Sequence, residues 1–513
     1  MPTYLSPGVY VEEIESGARP LEGVGTAVAA FVGLAETGPF NQPTLVSTWT
    51  AFADTFGGFV PGSYLARSVY GYFMNGGGNC YVVRIGQDGT EQQSKSAKEL
   101  PAGPYAQLGR LRFSALEATT VAGEISVEIT DPGGESPSED MFRVVVKRNG
   151  QPVEEYDRVT AGRGKTNVAT VVNAQSSVLR VEEITGEPVA KPQTGELALT
   201  EATMAAVPTP SVSSDDYVGD VADRTGFGGL ETIDEVTMLS VPDLMSAYQL
   251  GALDLESVQA VQLAMIAHCE LMGDRMAILD PPPGLNPQQV KEWRVDKAGY
   301  DSPFAVLNYP WIKTANPATG EIGFMPPSGH IAGIWGRNDD TRGVHKAPAN
   351  EVIRGAISLE VQVTKNEHDL LNPVGINVVR AFPARGTRLW GARTLSSDPA
   401  WRYLNVRRYF NYLEESILVG TNWVVFEPND EALWARVRRT ISAFLVNEWR
   451  KGALFGRTPD EAFYVKCDAE TNPSEGIDAG QVVCEIGVAP VKPAEFVVFR
   501  LAQFSGGTSL VSE

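Results

Sequence analysis

The chain has 513 residues, 43% hydrophobic and 20% charged, and its 42 Lys+Arg against 63 Asp+Glu leave a formal net charge of −21. At about 150 residues per domain this length predicts about three domains, and the composition is too apolar for a disordered chain. Such a negative chain repels phosphate, which excludes general binding to nucleic acid or to anionic membranes.

The opening Met1-Pro2-Thr3-Tyr4 has neither a basic stretch nor an apolar run behind it, so no secretory signal is expected. The longest apolar stretch, residues 24–35, is interrupted by glycines and too short to span a bilayer. Cys80, Cys269, Cys467 and Cys484 are scattered without a C-x-x-C spacing, which predicts reduced thiols rather than a disulfide framework.

Residues 1–22 read as an arm. Pro7-Gly8 marks a turn, and Val9, Tyr10, Val11, Glu12 and Glu13 form a short β-prone run. A lone strand cannot satisfy its own backbone groups, so it must join a sheet in its own or another subunit. Residues 23–90 return to core composition: a buried strand over 26–34, a helix over 64–74 and a strand over 80–85. That order predicts the first part of an α/β domain.

Residues 91–220 hold 20 acids and 12 bases, a net of −8, and show short alternating runs at 124–129 and 142–146. They predict a β-rich, solvent-facing insertion. Residues 221–375 resume the α/β pattern, with strands over 236–241, 275–279 and 304–309 and a helix over 255–272. This order implies parallel strands with right-handed crossovers.

Residues 376–495 read as a separate C-terminal domain. Between 376 and 457 there are 13 bases and 7 acids, a net of +6, so the remainder carries −27. One helix is expected with Asp398 as its N-cap and Pro399 at its first position, carrying Tyr403, Val406, Phe410, Leu413 and Ile417 on one stripe. A second follows Pro428-Asn429-Asp430 and runs to about Lys451, with Leu433, Val437, Ile441 and Phe444 as its apolar stripe. Arg436, Arg439 and Arg450 share its opposite face, a basic patch on an acidic chain that favours an acidic partner. Strand-like runs follow at 463–467, 482–488 and 496–501, the last beginning the 496–513 segment.

Catalytic signals are sparse. Gly164-Lys165-Thr166 resembles the end of a phosphate-binding loop, but Val159 stands where that pattern needs a glycine, and the run is expected within the β-rich insertion rather than between a strand and a helix. Asp243 and Asp280 each follow a parallel strand, where α/β enzymes place ligands, yet each also lies beside a proline that explains it as a turn residue. His268-Cys269 point about 100° apart on a helix and do not converge on a ligand. No cofactor or metal site is predicted.

Several motifs resemble, in order, those of contractile tail sheath proteins: Ser6-Pro7-Gly8-Val9-Tyr10-Val11-Glu12-Glu13, Asp280-Pro281-Pro282, Tyr309-Pro310-Trp311, Pro326-Pro327-Ser328-Gly329-His330-Ile331-Ala332-Gly333, the run 342–350, Phe426-Glu427-Pro428-Asn429-Asp430 and the run 486–496. The family includes sheaths of phage tails, of R-type bacteriocins and of phage-tail-like injection systems. The resemblance implies a multidomain mixed α/β fold: an α/β core, a C-terminal core domain with a small sheet facing an inner tube, an outer insertion, and extended terminal arms.

It implies a homo-oligomer of stacked hexameric rings around an inner tube protein, with baseplate and cap or terminator proteins at its ends. Such a particle is assembled in the bacterial cytoplasm as part of a phage tail or injection system. Contraction drives the tube through a target envelope without catalysis. By the same resemblance Val9, Tyr10, Val11, Glu12 and Glu13, with Phe496, Val497, Val498 and Phe499, are exchanged between subunits. The acceptor sheet would be Phe463, Tyr464, Val465, Val482, Val483, Glu485 and Ile486, and Arg436, Arg439 and Arg450 would face the tube. Two other readings are a non-contracting tail or baseplate protein sharing the sheath core and a metal-dependent hydrolase or phosphotransfer enzyme centred on Asp243 and Asp280.

Overall fold

The computed structural model describes residues 21–86 and 212–500, with the stretches of 105–199 that hold the elements named below. The run Val9–Glu13 lies outside the described residues. The chain divides into two units, Met1–Gln87 with Pro210–Glu513, and Asp88–Thr209.

In the larger unit, strands and helices are β1 (Ala29–Gly33), β2 (Thr44–Val46), α1 (Trp49–Phe56), α2 (Leu65–Met74), β3 (Cys80–Arg84), β4 (Met238–Ser240), α3 (Leu255–Met272), β5 (Met276–Leu279) and β6 (Ala305–Tyr309). They continue with α4 (Ser328–Arg342), β7 (Glu351–Val352), β8 (Ile376–Phe382), β9 (Gly386–Leu389), α5 (Leu404–Thr421), α6 (Glu431–Arg450), β10 (Phe463–Lys466) and β11 (Glu485–Val488).

Among the described residues, nine strands join in the order β7-β9-β8-β6-β5-β4-β1-β3-β2. From β8 through β3 all neighbours are parallel, and antiparallel strands close both edges. The central strands are small and apolar because both faces are covered. Along β1 the side chains alternate: Ala30 and Val32 join the core under α3, whereas Ala29 and Phe31 join the core under α2 and α4.

Local chemistry sets the ends of α3 where the sequence predicts them. Asp254 accepts from the Ser257 amide at 2.8 Å, and Gly273 ends the helix in the left-handed region at φ 73°. On the other face α2 and α4 pack unusually close. A Cβ on Gly333 would lie 2.3 Å from the Tyr72 carbonyl oxygen, and one on Gly329 2.5 Å from that of Ser68.

The smaller unit is β-rich. One antiparallel sheet pairs Gly195–Ala198, Ile125–Thr130, Met141–Arg148 and Gln151–Thr160 in that order, and a second pairs Tyr105–Leu108, Leu111–Ala115 and Leu179–Glu183. Ile125, Val127 and Ile129 alternate into its core with Phe142, Val144 and Val146. It also contains the helix Val168–Gln175, capped by the Asn167 side chain, which the β-strand pattern did not predict. Gly164 and Thr166 therefore do lie between a strand and a helix, contrary to the expectation from sequence. The Thr166 carbonyl accepts from the Thr160 amide at 2.8 Å, so the run closes a turn, and Asn167 itself fills the helix start.

The start expected for α5 is corrected. Asp398 accepts from the Ala400 amide at 2.8 Å, and its carbonyl accepts from Trp401, so it turns the chain five residues early. Tyr403 is extended, at φ −96° and ψ 128°, and bridges Arg393; α5 begins only after it. None of the described helices is long and apolar enough to cross a membrane.

Candidate functional site

The C-terminal part of the larger unit is built on its own core. Tyr409 and Leu413 of α5 pack with Leu433, Val437, Ile441, Phe444 and Leu445 of α6. The apolar stripe read from α6 is thus its buried face. Against α6 lies the antiparallel pair β10–β11, in which Phe463 faces Val488 and Lys466 faces Glu485. Of the acceptor residues expected here, Phe463, Tyr464, Val465, Glu485 and Ile486 are in this pair. Val482 and Val483 precede it; the Val483 amide donates instead to the Asn472 side chain at 2.7 Å. Two strands leave two sheet edges, so their backbone groups are a template for added strands.

After β11 the chain continues along the body. The Phe455 amide donates to Ala489 at 2.7 Å and the Val491 amide to Ala453 at 3.2 Å. Then Glu495 is gripped. Arg393 donates Nη2 to Oε2 at 2.6 Å and Nε to Oε1 at 2.8 Å, and Asn372 donates to Oε1 at 2.8 Å. Burial pushes this carboxyl up, but the guanidinium and the amide outweigh it and hold it below its usual range. Immediately beyond the grip, Phe496, Val497, Val498 and Phe499 are 73, 68, 77 and 84% exposed and form no strand. Four consecutive large apolar residues in water are costly.

The three arginines named for an acidic partner part company. Arg436 donates to Glu427 at 2.7 Å and stacks over Trp423 at 5.1 Å. Arg439 and Arg450 are exposed and, among the described residues, make no hydrogen bond or ion pair. Much of the local positive charge is spent internally: Arg393 on Glu495, Arg407 on Glu414 and Arg408 on Asp339. Beside the Glu495 grip lies a groove of about 890 Å³ lined in part by Arg342, Lys346, Lys365 and Arg380, a basic surface that helix periodicity did not reveal. Neither it nor the grip has a local signal, because both join residues far apart in the chain.

Asp243 and Asp280 are each satisfied separately. Asp243 accepts from the amides of Leu34, Tyr64 and Leu65 and from the Ser63 hydroxyl, and burial still pushes it up to about 6. Asp280 accepts from the amide and the hydroxyl of Ser328, at 3.1 and 2.5 Å, and burial pushes it up to about 7. Among the described residues no group of three His, Cys, Asp or Glu is placed to hold a metal. These aspartates staple β4 to the start of α2 and β5 to the start of α4.

Comparison with known proteins is consistent along the chain. The model of the phage tail sheath protein central domain matches residues 245–395, and that of the phage tail sheath C-terminal domain matches residues 396–504. The tail sheath protein of Burkholderia phage BcepMu is 25% identical over 517 residues, covering 96% of this chain and 95% of that one. That of Vibrio phage KVP40 is 28% identical over 215 residues, 41% of this chain and only 31% of the longer relative. Among solved structures, the contracted helical sheath of the anti-feeding prophage aligns with a TM-score of 0.59 at 24% identity, covering 98% of this chain and all of that one. The contracted PVC sheath complex aligns with a TM-score of 0.58 at 23% identity over 98 and 99%. The two family models adjoin without a gap and together take in 260 of the 513 residues, and the chain belongs to the phage tail sheath family, whose members are structural proteins and not enzymes.

Proposed function

We propose that this chain is the subunit of a contractile sheath, assembled in the bacterial cytoplasm as stacked hexameric rings around an inner tube. Baseplate and terminator proteins bound the stack. The sheath then shortens and widens, driving the tube through a target envelope. The observation that carries this reading is the exposed apolar run Phe496–Phe499, released just past a grip at Glu495, in a chain that also carries a two-stranded sheet. An isolated pair of strands is only marginally stable by itself, and added strands complete it.

In this reading the segments 496–513 and 1–22 each add a strand to the β10–β11 sheet of a neighbour. Some five main-chain hydrogen bonds at about 0.5–1.5 kcal/mol each give a few kcal/mol per arm. That is modest singly, but a ring lattice engages many arms at once. Arms that stay paired let the cores rotate while the lattice remains continuous. The energy for shortening comes from better interfaces in the short state, with no nucleotide consumed. Exposed Arg439 and Arg450 make weak, screened contacts with an acidic tube, which break readily during contraction.

The test is negative-stain electron microscopy of the protein alone and co-expressed with its neighbouring tail genes. Hollow, helically striated tubes of two lengths and two diameters are expected. Monodisperse particles under both conditions overturn the proposal.

A further inference from the structure

Cys467 directly follows β10 and Cys484 directly precedes β11. The register pairs Lys466 with Glu485, so the two cysteines are opposite one another at the next position. At the other end of the pair the Ala489 amide donates to the Ala462 carbonyl at 2.9 Å, making Ala462 and Ala489 a hydrogen-bonded pair. Hydrogen-bonded and non-hydrogen-bonded pairs alternate along an antiparallel ladder. Counting from Ala462, Lys466 and Glu485 are hydrogen-bonded, and Cys467 and Cys484 are not.

That second class brings Cα atoms to roughly 4.5 Å, within the ~4.4–6.8 Å that a disulfide spans. The side chains meet accordingly: the two thiols are near enough for each to alter the other's proton affinity. The loop between them is held in place by Asn472. Its amide donates to the Val483 carbonyl at 3.0 Å and lies 3.9 Å from the Cys467 sulfur, while its oxygen accepts from the Val483 amide. All four cysteines are free thiols here.

We propose that Cys467 and Cys484 are a site of reversible disulfide formation that closes the 468–483 loop and locks β10 to β11. The oxidant is a small disulfide. Half-buried Cys484 loses its proton to water and attacks one sulfur of glutathione disulfide, releasing one glutathione thiolate. Cys467 then loses its proton and attacks the Cys484 sulfur of the mixed disulfide, releasing the second. Two protein thiols are oxidised and one small disulfide is reduced to two thiols.

Burial slows the exchange, since Cys484 is pushed up to about 12 and Cys467 is raised by the same cause. The pair therefore survives reduced in a cytosol and responds on long exposure to oxidising surroundings. This chemistry depends on the register of β10–β11 alone and holds whatever the assembled particle does.

The experiment treats the full-length folded chain with glutathione disulfide between pH 7.5 and 9, blocks remaining thiols, digests without reduction and maps the peptides by mass spectrometry. A peptide linking Cys467 to Cys484 is expected, with an intact mass lower by two hydrogens. Dithiothreitol reverses it, and it is absent from both Cys484→Ser and Cys467→Ala. Its rate rises about tenfold per pH unit, as thiolate attack requires. A stable glutathione adduct on Cys484 without the linked peptide overturns the proposal. So does linkage at a rate independent of pH, which means that slow opening of the chain, and not thiolate attack within the native pair, sets the pace.

Discussion

Arg408 and Asp339 form a two-point ion pair in the interior, with Nη2 to Oδ2 at 2.6 Å and Nη1 to Oδ1 at 3.0 Å and side chains only 3 and 4% exposed. Arg408 also donates to the Thr26 carbonyl at 2.9 Å, and the Thr26 hydroxyl donates to Asp339 at 2.7 Å. The guanidinium lies 4.8 Å over the Trp335 ring. One pair therefore ties α5 to α4 and to the segment entering β1. It is one joint between the α/β core and the C-terminal helices.

Breaking that joint is costly because the surviving partner stays buried and charged. Arg408→Ala is expected to lose about 3–5 kcal/mol of unfolding free energy, read from urea denaturation. Replacing both residues together with apolar side chains is expected to lose much less. A loss in Arg408→Ala below 1 kcal/mol would show that water reaches the joint.

The crossing of α2 and α4 leaves no room for a methyl group. Gly333→Ala is expected to destabilise by about 1–3 kcal/mol, since its Cβ meets the Tyr72 carbonyl. Gly336→Ala, whose nearest neighbour is the Gly77 Cα at 3.3 Å, is expected to cost less. Thermal melts of the two variants rank them.

Asp280 makes stability depend on pH. Its carboxyl titrates at about 7 when folded and near 3.9 when unfolded. Between those values the folded chain binds the extra proton, so this stabilisation is full below about pH 4 and is lost as pH rises through about 7. Its contribution to the slope is at most about 1.4 kcal/mol per pH unit. The urea midpoint is expected to fall between pH 5 and pH 7, and less steeply in Asp280→Asn. Parallel curves for the two proteins would remove Asp280 as the cause.

The arm reading is tested at its root and at its tip. Deleting residues 1–20, or 496–513, is expected to leave soluble, folded subunits that build no long sheaths. Glu495→Gln weakens the Arg393 grip and is expected to shorten the sheaths while the subunit stays folded. Sheath lengths counted from micrographs decide, and normal lengths from either deletion count against strand exchange.

Arg439→Glu with Arg450→Glu is expected to weaken co-purification with the tube while changing stability by no more than about 0.5 kcal/mol. Arg436 is left out because it is tied to Glu427 and Trp423. Unchanged tube binding would move the contact elsewhere, with the groove near Arg342 and Arg380 as the next candidate.

The elements with strong local signals were legible from the sequence. The runs at 26–34 and 304–309 read as strands because nearly every residue is small or apolar, and they form over Ala29–Gly33 and Ala305–Tyr309. The helix read over 255–272 forms over Leu255–Met272, where an aspartate cap and a glycine stop bound it. The ordered motifs carried the family. Strand pairing, the fate of each charge and the shape of the surface are products of residues distant in sequence, and only the tertiary structure decided them. A count of +6 over residues 376–457 resembled a charged face, yet Arg393 and Arg408 turn to carboxylates that no spacing connects to them, Glu495 and Asp339. Asp398 had the chemistry of a helix cap, but the chain turns there, and the helix starts only after Tyr403, which is extended and bridged to Arg393. Local propensity acts within a turn of helix or a few strand residues, whereas burial and ion pairing act across the fold, and where the two conflict the tertiary contacts prevail.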